Sequence, residues 1–225
     1  MPPRYGVCVS TAAGILARGP WEPEQIDVRW QSDTFEPSAG ATEAADVALD
    51  ELRERGSPSH DGLAARLVDF ESDAAGLCLE LQPVRWALRL LPEFAARSMS
   101  VLCVVRGADG AWLAGRRASW VASWAGRWAL GAAGSVEIDE NPVDTLAREL
   151  REEWSVQAQR LTIEALVLLP SQIAMLVGQA WLPEGAVATP DHEHDALAWW
   201  PEDVDRWPAE ADEPLRRVAA LLTQT

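Results

Sequence analysis

The sequence predicts an α+β fold. Short runs that alternate apolar and polar residues recur along the chain, whereas apolar residues at spacings of three and four are confined to residues 42–55, 142–154 and 214–222. Between two apolar runs, Gly107-Ala108-Asp109-Gly110 supplies hairpin-turn chemistry, so part of the sheet is antiparallel. At 225 residues the chain can bury a sizeable core, as one large domain or as a domain with an accessory part.

Taken in order, residues 5–10 and 14–18 read as a strand pair, and residues 25–31 (QIDVRWQ) alternate as a further strand. Residues 38–40 read as loop. Residues 42–55 then form a helix closed by Gly56 and Pro58. Residues 62–71 and 76–83 are strands across a polar turn, and residues 84–91 fit either a helix or a strand. His60-Asp61 is the sole reactive candidate in this part, and a lone turn histidine is ordinarily surface. Residues 92–98 mark a boundary, giving an N-terminal accessory region over 1–97, a second domain over 98–212 and a C-terminal helix over 213–225. In the second domain residues 99–106 are a buried strand and 111–117 its return. Residues 161–169, 173–182 and 197–200 are later strands. Residues 201–204 open a turn, and residues 214–222 are an amphipathic helix.

The formal net charge is −16, and every basic residue is arginine. Such a field disfavours a nucleic-acid partner and leaves local arginines or a metal to attract an anionic substrate. No apolar run of eighteen residues indicates a membrane span. Cys8, Cys78 and Cys103 are odd in number, scattered and in apolar contexts, so buried thiols in a reducing, cytoplasmic compartment are expected.

The most informative stretch is residues 134–156, GSVEIDENPVDTLARELREEWSV. Asn141 is a fitting N-cap, Pro142 suits the first turn, and Asp144 at the third position can return a bond to the cap. Val143, Leu146, Ala147, Leu150 and Trp154 form a core-facing stripe. Glu149, Glu152 and Glu153 fall at i, i+3 and i+4, within one turn of each other. Arg148 can pair with Glu152 and reach Glu140, yet one guanidinium does not neutralise this set. A hard divalent cation with oxygen ligands would.

These residues resemble the signature of the Nudix hydrolases, G-x5-E-x7-R-E-U-x-E-E-x-G-U, where U is a bulky aliphatic. Gly134, Glu140, Arg148, Glu149, Leu150, Glu152, Glu153 and Val156 match it, and Ser155 stands in place of the last glycine. Serine there costs about 1 kcal/mol if the exit is left-handed, so a different exit turn is expected. Upstream, Trp128-Ala129-Leu130-Gly131-Ala132-Ala133-Gly134 departs from the family's Trp-x-x-Pro-Gly-Gly. The resemblance covers about residues 98–210 and implies an α/β/α sandwich with a mixed sheet.

The resemblance further implies a hydrolase, a pyrophosphatase acting on a nucleoside diphosphate linked to another moiety. Glu149, Glu152 and Glu153 would hold Mg²⁺ (or Mn²⁺), and Arg148 with Glu140 would orient the carboxylates. The base would be Glu149 or Glu193. Arg116, Arg117 and Arg127 are candidates to bind phosphates, and Trp120 or Trp124 to stack a base or sugar, with solvated surface and packing as the competing readings. The loop Pro190-Asp191-His192-Glu193-His194-Asp195 is similar to a family position that supplies a Glu or His. Catalytic help, a plain surface loop and a separate metal site all stay open for it. QIDVRW, Asp61-Gly62 and LCLEL in the first part resemble the leading region of enzymes acting on UDP-sugars. The partner is thus a small nucleotide derivative, with no nucleic acid and no membrane, and a homodimer is compatible with the chain. The alternative is a non-catalytic Nudix domain that binds or senses a nucleotide-linked ligand.

Overall fold

The structure, a computed structural model, describes residues 13–57, 59, 61–91 and 96–223. Its larger sheet contains β1 (Gly14–Trp21), β5 (Met99–Arg106), β6 (Trp112–Arg117), β7 (Trp128–Leu130), β8 (Ala132–Ser135), β9 (Arg160–Leu168), β10 (Ala174–Trp181) and β11 (His194–Trp200). The main order is β1-β9-β10-β5-β6-β11, with β8 beside β5 and β7 beside β6. β5 and β10 run parallel while the other pairs are antiparallel, so the sheet is mixed. A smaller sheet, in the order β2-β4-β3, comprises β2 (Ile26–Trp30), β3 (Leu63–Asp73) and β4 (Gly76–Arg85). The helices are α1 (Ala39–Glu54), α2 (Pro142–Trp154) and α3 (Glu213–Thr223).

Strand alternation explains the layering. Met99, Val101, Cys103 and Val105 of β5 point into one core together with Leu146, Leu150 and Trp154 of α2, whereas Val104 joins Leu215 and Ala219 of α3 on the other side. The large sheet is therefore sandwiched between α2 and α3. Leu67, Leu77, Leu79 and Leu81 of the small sheet enter the α2-side core, and β1 pairs with β9 in the large sheet. N-terminal and C-terminal parts thus bury one another's apolar surface. A separate cluster joins Ala41, Ala45 and Leu49 of α1 to Val84, Ala87 and Leu88.

Several expectations shift. Residues 5–10, Cys8 and His60 lie outside the described residues, and β1 takes β9 as its partner. α1 begins at Ala39, three residues early, because Ser38 Oγ accepts from the Ala41 N–H and caps it. The ambiguous stretch after residue 83 resolves into the end of β4 and a 3-10 turn, Trp86–Leu90. The departing stretch before Gly134 forms β7 and β8, with Gly131 between them at φ 60°; a Cβ there would sit 1.8 Å from the Cys103 carbonyl oxygen. Cys103 is buried, but Cys78 is only half-buried.

Candidate functional site

α2 forms as its sequence dictates. Asn141 Oδ1 accepts from the Val143 N–H at 2.9 Å, and Pro142 opens the first turn. Ser155 itself adopts the left-handed conformation, at φ 56° and ψ 32°, and its N–H donates to the Arg151 carbonyl. The exit turn is therefore the one a glycine would make, contrary to the expected change, and serine bears the strain.

One guanidinium organises the acidic face. Arg148 Nε and Nη2 grip Glu140 at 3.0 and 3.1 Å, Nη1 donates to Glu149 at 2.7 Å and to Glu152 at 3.2 Å, and Nη2 also reaches the Ser135 carbonyl at 3.2 Å. Glu140, bound by Arg148, therefore titrates below its ordinary value although burial alone would raise it. Gly134 lets Glu149 lie flat on β8: a Cβ at that position would come within 1.8 Å of Glu149 Oε1.

Glu149 and Glu153 are both buried, at 9% and 5% exposure, whereas the Glu152 side chain is 59% exposed. Burial raises Glu149 to about 7, opposed by Arg148 and aided by Glu152. Burial likewise raises Glu153 well above the carboxylate range; the Ala133 N–H, which donates to its Oε1 at 3.2 Å, and Arg117 pull the other way.

His194 was expected in a loop, but it opens β11 and its side chain is 1% exposed. Its Nδ1 meets Asp191 Oδ1 at 3.1 Å. Its Nε2 makes no hydrogen bond and lies 3.7 Å from Glu153 Oε2. Burial lowers its pKa, leaving a neutral imidazole behind Glu153. The ring packs on Trp154, in space that exists because residue 115 is glycine. No sequence signal distinguished His194 from His192, which is 78% exposed, since only the β6–β11 register buries one and not the other.

Of the expected phosphate and base contacts, Arg117 alone shares this face. It pairs with Glu193 at 2.9 Å and acts electrostatically on Glu153 and His194. Leu113 and Gly115 of β6 face α2, so Arg117 does too; Trp112 and Ala114 face α3, and Arg116 follows them. Arg116 pairs with Asp195 at 2.6 Å. Arg127 pairs with Asp212, just before α3, and stacks on Trp124 at 4.2 Å. Arg116 and Arg127 thus make their ion pairs with Asp195 and Asp212 and not with Glu149, Glu152 or Glu153, and Trp124 packs on Arg127. Trp120 instead stacks on His192 at 5.3 Å, next to Glu193.

Every donor on this face of α2 is a carboxylate oxygen, a set suited to a hard divalent ion. As placed, Glu149 is turned onto Arg148, and among the described residues no three acidic, histidine or cysteine side chains converge on a single point. The two raised carboxylates nevertheless fit a cation: added positive charge would offset the burial that now disfavours their ionised forms, and the neutral His194, whose Nε2 makes no hydrogen bond, brings no competing positive charge.

The family profile described as NUDIX domain matches residues 96–222. No curated protein matches the sequence. Among solved structures, the chain is similar to a MutT protein from Methanosarcina mazei Go1, at 20% identity and a TM-score of 0.42 over 56% of this chain and 96% of that one. It is similar to the NUDIX domain of Shewanella oneidensis NrtR, complexed with ADP ribose, at 18% identity and a TM-score of 0.42 over 59% and 92%. A C. elegans Ap4A hydrolase shows 20% identity and a TM-score of 0.41 over 55% and 97%.

Proposed function

Because the chain belongs to the Nudix hydrolase family, we propose that it cleaves the phosphoric anhydride of a nucleoside diphosphate linked to a second moiety, releasing a nucleoside monophosphate and a phosphorylated product. The observation that carries this reading is Arg148 holding Glu140, Glu149 and Glu152 together beside Gly134. Within that substrate class, a UDP-sugar is favoured by the leading-region motifs QIDVRW and LCLEL.

Glu149, Glu152 and Glu153 are the residues that would hold Mg²⁺ or Mn²⁺. Such an ion, when bound, offsets charge on phosphate oxygens and makes a water more acidic. Arg148 and Glu140 fix the direction of the carboxylates, a positioning task. His194, backed by Asp191, limits the freedom of Glu153. Arg117 offers a guanidinium to phosphate oxygens next to Glu153. A base must take a proton from the attacking water, and Glu149 and Glu193 are the two carboxylates for that work, each ion-paired with an arginine, Arg148 at 2.7 Å and Arg117 at 2.9 Å.

The test is incubation with magnesium and a panel of UDP-sugars, ADP-ribose, NADH and nucleoside triphosphates, with detection of released monophosphate or phosphate. At least one diphosphate is turned over, and Glu152→Gln abolishes turnover with the fold kept. Unchanged activity in that variant would discard the metal assignment. Binding of the panel without turnover would point to a sensing domain instead.

A further inference from the structure

Arg89 takes no part in the machinery described so far. It projects from the 3-10 turn Trp86–Leu90, in the N-terminal part, toward the strand that carries Gly134. Its Nη1 donates to Ser135 Oγ and its Nη2 to Ser100 Oγ at 3.2 Å, while Trp86 Nε1 also donates to Ser135 Oγ at 3.2 Å. The guanidinium lies 5.6 Å from the Trp86 ring. The backbone of the same serine is tied to the carboxylate site, since its carbonyl accepts from Arg148.

Arg89 has no acidic partner within ion-pairing distance among the described residues, in a chain with 35 acidic and 19 basic side chains. Arg85, Arg116, Arg117, Arg127 and Arg148 are all paired with carboxylates. Burial pushes the Arg89 pKa down, with Glu149 the charge that opposes the shift. Two serine hydroxyls do not need a cation; a neutral amide would serve them without the desolvation cost. Among the described residues this half-buried guanidinium has no ion-paired carboxylate beside Ser135, an arrangement matched to an anion that arrives from outside.

We propose that Arg89 is a substrate-binding residue whose guanidinium takes an anionic phosphate oxygen of the diphosphate at the Ser135 edge of the site, so that the N-terminal part completes the site. The idea rests on the function proposed above. It also gives the accessory region a task in recognising the substrate.

The test is calorimetric titration with methylenediphosphonate, a diphosphate mimic that is not hydrolysed, in the presence of magnesium. Arg89→Gln, which keeps an amide for the serines, weakens binding about tenfold or more, whereas Arg89→Lys recovers part of it. The melting temperature and the magnesium affinity of the free protein stay near those of the unsubstituted chain. Equal affinity in Arg89→Gln and the unsubstituted protein would overturn the proposal. Should Arg89→Gln not fold, the Nε–H resonance of Arg89 in the unsubstituted protein is followed instead: it shifts on addition of methylenediphosphonate, and a stationary signal would overturn the proposal. Turnover of a diphosphate by the unsubstituted protein, combined with either negative result, would remove the role of Arg89 alone; absence of turnover and of magnesium binding would remove the hydrolase reading itself.

Discussion

Glu149 illustrates how a single side chain couples stability to function. Its folded pKa, about 7, lies above the ordinary carboxylate value because burial outweighs Arg148. Between those two values the folded state binds more protons than the unfolded one, so the stability tied to this group is complete at low pH and is lost as pH rises through about 7. In EDTA, Glu149→Gln is therefore more stable than the unsubstituted protein by roughly 1–3 kcal/mol at about pH 8, and the gap closes toward about pH 4. Denaturant unfolding at the two pH values checks both sign and window. Gly134→Ala forces a Cβ into Glu149, displaces that carboxylate and lowers kcat/KM about tenfold or more, while circular dichroism stays near native. At this scale the local features were legible: the Asn141 cap and the Arg148–Glu140–Glu152 contacts follow from spacing within a few turns. Arg117 could not be separated from Arg116 and Arg127, because which arginine meets the carboxylates depends on the face that β6 presents, and that depends on the pairing of β6 with β11.

At the scale of elements, the start and buried side of α2 were readable because cap, first-turn proline and apolar stripe agreed on them. Its exit was not, since propensity disfavours serine in a left-handed turn while the tertiary contacts of Val156 and Trp154 impose one. Ser155→Gly relieves that strain and raises stability by about 0.5–1 kcal/mol, measured as a shift in the urea midpoint at constant slope. β7 and β8 escaped notice for the opposite reason. Ala129, Gly131, Ala132, Ala133 and Gly134 have little strand propensity, and pairing with β6 and β5 makes these strands. Small residues are nonetheless what the site requires there, since Gly131 passes against Cys103 and Gly134 receives Glu149.

At the scale of the molecule, the small sheet and the large one share an apolar core, and β1 adds a strand to the edge of the large sheet beside β9. The composition and strand patterns revealed the fold class and left open whether the two parts share a core, because which apolar faces meet is decided by long-range packing. Leu79, fully buried in β4, should therefore matter to the whole chain: Leu79→Ala costs about 2–5 kcal/mol and lowers a single calorimetric transition instead of splitting it. The central claim concerns the carboxylates of α2, and direct titration with Mn²⁺ tests it most directly. The unsubstituted protein binds the ion saturably, and a Glu149→Gln, Glu153→Gln double variant with the same fold loses that binding; identical isotherms for the two proteins would contradict the account.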